Sequence, residues 1–199
     1  MNIAYSCDNA YIEQTGISLI SVFENNKEEK EIKVYLISKG ISNENIEKLD
    51  SLCKSYKREL VVVNFDDIAF DLPQCSCGRH LETIYAKVFF SRIEGLDKVL
   101  YLDSDVVVVG NLKPLWETDL SEKYMGVVET TYTKGKKALG IPRSTPFFND
   151  GVVLVNVDYC RENNLISKVI EQVNAFGGNP PVLSEGVLNK ICGQNVKYL

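Results

Sequence analysis

Aliphatic and β-branched runs alternate with stretches of helical periodicity along this chain of 199 residues. The strand-like runs lie at 3–7, 31–38, 59–66, 98–109, 124–129 and 151–158, and the start of a further strand-like run covers 195–199. Helical periodicity covers 11–26, 42–56, 80–93, 163–176 and 184–192. Such alternation is typical of βαβ units, in which helices cover the faces of a parallel sheet. We therefore predict an α/β fold with a largely parallel sheet, in which the run at 59–66 is buried.

The overall charge and composition argue against some functions. The net charge is −5 and the pI about 5.1, whereas a nucleic-acid-binding domain usually carries a basic surface. No apolar run reaches the roughly 18 residues that a membrane-spanning helix requires, and the N-terminus lacks a signal-peptide pattern. The six cysteines are scattered, which favours reduced thiols in a cytoplasmic protein. We expect no nucleic-acid partner and no membrane-spanning segment.

The length predicts a single domain over residues 1–199. The last residues, NVKYL, form a strand-like run with no turn or cap after it. We therefore expect that the chain is truncated at its C-terminus.

Two carboxylates interrupt the most apolar run of the chain, KVLYLDSDVVVVG at 98–110. In a continuous strand Asp103 and Asp105 would point to the same face, and ionised carboxylates in an apolar setting are costly unless paired or bound to a metal. Hard divalent cations prefer such oxygen ligands. The pair therefore predicts a metal site, although a polar loop between strands remains the alternative. Asp8 also lies near a predicted strand end, where open α/β sheets bind ligands, so the three acids are expected to face one crevice.

The segment 130–148, TTYTKGKKALGIPRSTPFF, is a long basic connection with several Gly and Pro residues. Long connections are commonly functional or mobile. Residues 134–137 could close over phosphate groups as a lid, or form a solvated turn.

Four blocks of the sequence resemble the family-eight retaining glycosyltransferases, which include glycogenin and bacterial lipopolysaccharide galactosyl- and glucosyltransferases. The blocks are IAYSCDNAYIEQTGISLISVFENN, YAKVFF, KVLYLDSDVVVVGNLKPLWE and FFNDGVVLVNVDYCREN. The third block is the most specific, because it joins Asp-x-Asp to a downstream Leu-Lys-Pro-Leu-Trp. The blocks follow the order of the family over nearly the whole chain.

The resemblance implies a GT-A fold, Rossmann-like, with a mixed, mostly parallel sheet and helices on both faces. It implies a UDP-glucose or UDP-galactose donor, a saccharide or glycolipid acceptor, and transfer with retention of anomeric configuration. Asp103 and Asp105 would bind Mn²⁺ or Mg²⁺. The expected setting is lipopolysaccharide biosynthesis in the cytoplasm, peripheral to the inner membrane through a part outside this chain.

The resemblance also assigns residues to the nucleotide. Asp8 corresponds to the acid that meets the uracil edge, where a carboxylate accepts the N3–H that cytosine lacks; its alternative role is to cap the following helix. Ser6 and Cys7 would line this pocket, and Tyr11 would stack on the base. Ser104 would lie near the ribose.

A second group is assigned to the donor phosphate and sugar. Lys87 would contact the phosphate or sugar, unless it is an ordinary solvated helix charge. Asn149 and Asp150, with Gly151, match the segment that lines the donor-sugar pocket, and we place both with Glu185 in the catalytic set. The alternative for Asn149 is a turn at the entry of a strand. Gly151 would let the backbone approach a ligand.

The sequence departs from the family in two places. Glu185 stands where the family has a Gln beside the anomeric carbon, and Ser184 replaces the acid before it. A carboxylate there could stabilise oxocarbenium charge or act as a nucleophile, although Glu is also common at helix N-termini. In addition, the C-terminal His-x-x-Gly-x-x-Lys-Pro-Trp motif, with a third metal ligand, is not in this chain. The alternative function is therefore a non-catalytic UDP-sugar-binding domain.

Overall fold

A computed structural model describes residues 1–75, 82–131 and 135–199. Within these ranges the strands are β1 Asn2–Cys7, β2 Lys33–Ser38, β3 Glu59–Asn64, β4 Lys98–Leu102, β5 Met125–Glu129, β6 Phe148–Asn156 and β7 Val196–Tyr198. They form a sheet in the order β3-β2-β1-β4-β6-β5-β7. The first four strands are parallel to one another, β6 runs antiparallel to both β4 and β5, and β7 is parallel to β5. The predicted mixed, mostly parallel sheet is confirmed.

Helices connect the strands, as the periodicity predicts. The longer ones are α1 Ile12–Asn25, α2 Asn43–Ser55, α7 Leu165–Ala175 and α8 Leu183–Cys192, and the short ones are α3 Phe65–Ile68, α4 Lys113–Trp116, α5 Lys136–Leu139 and α6 Val157–Glu162. Two 3-10 helices cover Asn9–Tyr11 and Glu82–Arg92. Ser42 caps α2: its hydroxyl accepts from the Asn45 N–H at 3.3 Å. Residues 80 and 81 of the predicted helix at 80–93 lie outside the described ranges.

Two apolar cores lie on opposite faces of the sheet. Alternating side chains along β4 supply both, because successive strand residues point to opposite sides. Leu100 and Leu102 join the core beneath α1 and α2, whereas Val99 and Tyr101 join the core beneath the second 3-10 helix and α6 to α8. None of the described helices has the length and apolarity that a membrane crossing would need.

The prediction of a buried third strand is wrong. Among the residues that the structure describes, β3 lies at one edge of the sheet and pairs only with β2. Its residues are exposed or half-buried, and Val62 retains 41% of its accessible surface. An edge strand lacks the neighbour that would complete its burial, so aliphatic composition overestimates burial there.

The predicted strand at 98–109 is also too long, because β4 ends at Leu102. Asp103 donates its N–H to the Gly151 carbonyl at 2.8 Å, and a turn follows in which the Val106 N–H bonds the Asp103 carbonyl at 3.1 Å. Beyond it, the polar side chains of α1 replace a sheet partner: the Val108 N–H donates to Ser21 Oγ, and Asn25 Nδ2 donates to the Val108 carbonyl.

β6 begins earlier than predicted, at Phe148 rather than 151. Asn149 and Asp150 therefore lie within the strand, beside the end of β4. The strand stops at Asn156, whose side-chain oxygen accepts from the Tyr159 N–H and starts α6.

Candidate functional site

A cavity of about 290 Å³ opens at the carboxyl ends of β1 and β4. These strands are parallel neighbours, with Ile3 opposite Leu100 and Ala4 opposite Tyr101, so their ends meet at one edge of the sheet. The predicted residues that line the cavity are Ser6, Cys7, Asp8, Tyr11, Asp103, Ser104 and Asp105. The three acids expected to share a crevice therefore do share one.

Three other residues of the lining, Thr83, Ile84 and Tyr101, were not predicted as site residues. Tyr101 lies two positions before Asp103, so the strand alternation predicted for 98–109 could have placed it on this side. Thr83 and Ile84 directly precede the YAKVFF block, and no local pattern marks them.

The carboxylate pair sits on the turn that ends β4. Asp103 is half-buried, Asp105 is exposed and Ser104 between them is buried. The Ser104 hydroxyl is hydrogen-bonded to the Thr15 hydroxyl at 2.9 Å, which anchors the turn to α1. The two acids therefore lie on an anchored turn at the rim of the cavity. This turn brings them to the same cavity, although the strand does not continue through them as the sequence suggested.

Burial raises the pKa of the Asp103 carboxyl, and the nearby charges of Asp150 and Asp105 raise it further. The Lys87 ammonium and a hydrogen bond with the Tyr101 hydroxyl act in the opposite direction. Because burial and like charges disfavour its ionised form, the Asp103 carboxylate would be stabilised by a nearby cation. Oxygen ligands of this kind fit a hard divalent ion that keeps several waters.

In residues 1–75, 82–131 and 135–199, no group of three or more His, Cys, Asp or Glu side chains is arranged to hold a metal. The described part of the protein would thus offer two carboxylate ligands, Asp103 and Asp105, to such an ion.

The N-terminal acid has the capping contact that was its alternative role. Asp8 Oδ1 accepts from the Ala10 N–H at 2.9 Å and begins the first 3-10 helix. The same side chain also lines the cavity, so capping and ligand contact are compatible.

The other predicted nucleotide residues lie beside Asp8. Ser6 Oγ donates to the Thr83 carbonyl at 3.0 Å, joining β1 to the opposite wall. Burial raises the pKa of the Cys7 thiol, which keeps it neutral. Tyr11, 47% exposed, stands at the mouth.

Lys87 is not a solvated helix charge, since only 5% of its surface is exposed. Its Nζ donates to the Asp150 carbonyl at 2.8 Å and lies 2.9 Å from Asp150 Oδ2. The ammonium also lies 4.4 Å from the centre of the Tyr101 ring. Lys87 is therefore held on β6, behind the turn that carries Asp103 and Asp105.

Asp150 is 9% exposed, and its carboxylate is turned onto two neighbours. Oδ2 contacts the Lys87 ammonium and accepts from Ser184 Oγ at 2.8 Å. A buried carboxylate needs such partners to remain ionised.

Asn149 connects β6 to the first turn of α8. Its Oδ1 accepts from the Gly151 N–H at 2.9 Å, and its Nδ2 donates to Glu185 Oε2 at 3.0 Å. Burial raises the pKa of Glu185, with a further contribution from the Asp150 charge, whereas bonds from Asn149 and the Asp150 backbone and the charge of Lys87 oppose the rise. Glu185 is thus a positioned, half-buried carboxylate.

Gly151 permits a close approach, as predicted, but the approaching group is a protein side chain. A Cβ at this position would lie 2.5 Å from Asp103 Oδ2 and 3.1 Å from Asn149 Oδ1. Real Cβ atoms do not come so close to other heavy atoms. A side chain at position 151 would therefore displace the Asp103 carboxylate.

The turn that presents Glu185 has an uncommon backbone. Val182 and Leu183 have φ values of 58° and 51°, in the left-handed region, immediately before Ser184. Such values are costly for β-branched and bulky residues and are concentrated at functional sites. The sequence gives no signal of this feature, because neither residue is Gly or Asn.

The predicted phosphate lid is not supported at Lys136. Its side chain is buried, and Nζ donates to the carbonyls of Thr145 and Arg143 at 2.5 and 3.3 Å. The ammonium therefore stabilises its own loop. Lys134 lies outside the described ranges, and Lys137 is exposed.

The mixed sheet, with its Asp-x-Asp turn beside the N-terminal strand, defines a glycosyltransferase-type domain of the GT-A fold. The chain belongs to glycosyl transferase family 8, whose family model matches residues 2–199. It is 26% identical over 206 residues to a putative glycosyltransferase of Haemophilus influenzae, covering 100% of this chain and 61% of that protein. It is also 26% identical to the lipopolysaccharide 1,3-galactosyltransferase of Salmonella typhimurium, covering 86% of this chain and 53% of that enzyme.

Solved structures show the same fold. The galactosyltransferase LgtC, crystallised with donor and acceptor sugar analogues, superposes with a TM-score of 0.83 at 26% identity, over 100% of this chain and 73% of that one. Mouse xyloside xylosyltransferase 1 has the fold at 14% identity, with a TM-score of 0.74. The chain thus spans 61% and 53% of the two bacterial relatives and 73% of the LgtC chain.

Proposed function

We propose that this chain is the donor-binding domain of a metal-dependent retaining glycosyltransferase that moves glucose or galactose from a UDP-sugar to a saccharide or glycolipid acceptor. The observation that carries the proposal is the single cavity lined by Asp8, Asp103 and Asp105. Family membership supports sugar transfer, and relatives named as lipopolysaccharide galactosyl- and glucosyltransferases support a hexose. By the same analogy, lipopolysaccharide assembly at the cytoplasmic side of a membrane is the proposed setting.

The nucleotide would lie in the cavity with its base toward β1. The Asp8 carboxylate would accept the N3–H of uracil while it caps the 3-10 helix, and the Tyr11 ring at the mouth would stack on the base. Ser6 and Cys7 would contribute backbone groups to the same wall. This arrangement selects uracil over cytosine, which has no donor at N3.

Asp103 and Asp105 would hold Mn²⁺ or Mg²⁺, which would neutralise charge on the leaving diphosphate. The buried Lys87 ammonium supplements this positive potential from behind the turn. Ser104, fixed to α1 through Thr15, would lie beside the ribose.

Glu185 would act on the sugar. Asn149 fixes its carboxylate, which would stabilise the positive charge that develops at the anomeric carbon as the bond to the diphosphate oxygen breaks. In a double displacement, a Glu185 oxygen would bond to that carbon as UDP leaves. The acceptor hydroxyl would then displace the carboxylate and lose its proton to the diphosphate of the UDP that has left the sugar and still lies in the site. Glu185→Gln tests both roles, and unchanged turnover would remove Glu185 from the mechanism.

The second candidate is a domain that binds UDP-sugars without turnover. It is favoured by the metal site, which has two protein carboxylates and no third ligand within the described ranges. Binding of UDP-glucose with no transfer or donor hydrolysis would support this alternative.

The test is binding of UDP, UDP-glucose and UDP-galactose with and without Mn²⁺, with CDP as the control nucleotide. At about 100 times Kd a ligand adds about 2.7 kcal/mol to the free energy of unfolding, which raises Tm by roughly 5–10 °C in a protein of this size. We expect this rise for UDP-sugars only when Mn²⁺ is present, and its loss in Asp103→Asn. A metal-independent response would count against the role of the carboxylate pair, and no response to any uridine nucleotide would reject the proposed function.

A further inference from the structure

The buried Lys87 ammonium contacts both the carboxylate and the carbonyl of Asp150. The next residue of β6, Gly151, lies against Asp103, since a Cβ there would be 2.5 Å from Asp103 Oδ2. With Lys87 satisfied by the Asp150 carbonyl and carboxylate, Asp103 can turn its carboxylate to the cavity. Without the Asp150 carboxylate the ammonium would need another anion, and the Asp103 carboxylate lies against the residue that follows Asp150 on β6.

Asp150 is in turn held by α8. Ser184, 3% exposed, donates from Oγ to the same Oδ2 that contacts Lys87. A serine oxygen is one bond from Cβ and an aspartate oxygen is two bonds from it, so the pair spans the gap between β6 and α8 with one short and one long side chain. Exchanging the two would keep both the total reach and the net charge.

We infer that Asp150 and Ser184 are positioning residues that hold the Lys87 ammonium away from the metal-binding Asp103, and that the carboxylate of this pair can be supplied from either β6 or α8. This inference rests on the proposed metal site and adds residues that act through Lys87 rather than on the sugar. It also reassigns Asp150, which the sequence placed in the catalytic set.

The test compares Asp150→Ser with the exchanged double variant Asp150→Ser/Ser184→Asp. Binding of Mn²⁺ alone is followed by electron paramagnetic resonance, so that the readout does not depend on transferase activity. Breaking a buried ion pair from one side corresponds to about a 100-fold effect or more. We therefore expect Asp150→Ser to weaken Mn²⁺ binding at least about tenfold, since Lys87 then competes for Asp103, and the double variant to return within about threefold of wild type.

A second readout separates this inference from the proposed function. Urea unfolding of wild type, Asp150→Ser, Ser184→Asp and the double variant forms a double-mutant cycle. We expect both single variants to be less stable and the double variant to recover. If the losses simply add, the two side chains are not interchangeable and the inference is rejected. If stability recovers while Mn²⁺ affinity does not, the pair has only a structural role and the inference is also rejected. Failure of UDP-sugar turnover in wild type would reject the proposed function and leave both readouts intact.

The chain offers a matched control. Ser121 donates from Oγ to Asp119 Oδ1 at 2.6 Å in an exposed loop. This pair precedes β5, which starts opposite Val155 and so lies at the far end of the sheet from Asp150. The exchange Asp119→Ser/Ser121→Asp, and Asp119→Ser alone, should leave Mn²⁺ affinity unchanged. An equal effect in this control would assign the result to overall charge and overturn the inference.

Discussion

Close packing at Gly151 makes the turn that carries Asp103 and Asp105 sensitive to a single methyl group. We expect Gly151→Ala to push the Asp103 carboxylate aside, because the new Cβ would lie 2.5 Å from Oδ2. Mn²⁺-dependent UDP binding should weaken at least about tenfold, whereas overpacking of this kind costs about 1–3 kcal/mol of stability. Calorimetric titration measures the first effect and urea unfolding the second.

The control for Gly151→Ala is Gly110→Ala, where nothing lies within 4 Å of the added Cβ. Normal UDP binding by Gly151→Ala would show that Asp103 does not need its present position.

The protonation of Glu185 gives the protein a pH-dependent stability. Its pKa is raised above the ordinary 4.5 by burial and by the Asp150 charge. Between the unfolded and folded pKa values the native state holds a proton that the unfolded chain has lost, so the free energy of unfolding falls as pH rises through that window. We expect Glu185→Gln to remove this contribution. Urea unfolding of both proteins at several pH values from about 4.5 to 7 measures the difference.

Asp71 and Asp119 have pKa values lowered from the ordinary 3.8, so they change protonation at lower pH and do not alter the stability between about pH 4.5 and 7. Parallel stability curves for wild type and Glu185→Gln would contradict the assigned pKa direction.

At the scale of elements, the turn before α8 has a strained backbone at Val182 and Leu183, and it also positions Glu185. A left-handed backbone costs a non-glycine residue roughly 1–2 kcal/mol. We expect Val182→Gly to be more stable than Val182→Ala by about 1 kcal/mol, since both lose the side chain and only glycine relieves the strain. Turnover should fall in Val182→Gly, because a freer turn fixes Glu185 less firmly. Equal stability of the two variants would show that the turn is unstrained.

The elements also show what sequence reasoning can reach. Periodicity located the helices and most strands, and motif resemblance named seven of the ten residues that line the cavity, without Thr83, Ile84 and Tyr101. Sequence reasoning misjudged the burial of β3, because hydrophobic composition cannot distinguish an edge strand from a central one. It also misjudged the end of β4, because composition cannot distinguish a valine that pairs in a sheet from one that lies along α1. The contacts of Lys87 and Lys136 were also missed, because a lysine in a sequence does not reveal which carbonyl or carboxylate will bury it.

At the scale of the whole molecule, the strand order predicts a gradient of stability. β1, β4 and β6 lie inside the sheet, whereas β3 and β7 form its edges. We expect the slowest amide hydrogen exchange in β1, β4 and β6, and faster exchange in β3 and at 107–110. UDP with Mn²⁺ should add protection at 103–106. Faster exchange in β1 than in β3 would contradict the strand order.

The reversed direction of β6 has an evolutionary consequence. The N-terminal half supplies the wall proposed for the nucleobase. The later half supplies Asn149, on the reversed strand β6, and Glu185, on α8, which we propose to act on the sugar. The backbones of the two halves join beside the cavity through the Asp103–Gly151 hydrogen bond. If the proposed function holds, substitutions in β6 and α8 would change which monosaccharide is handled, whereas the wall proposed for the nucleobase would be unchanged.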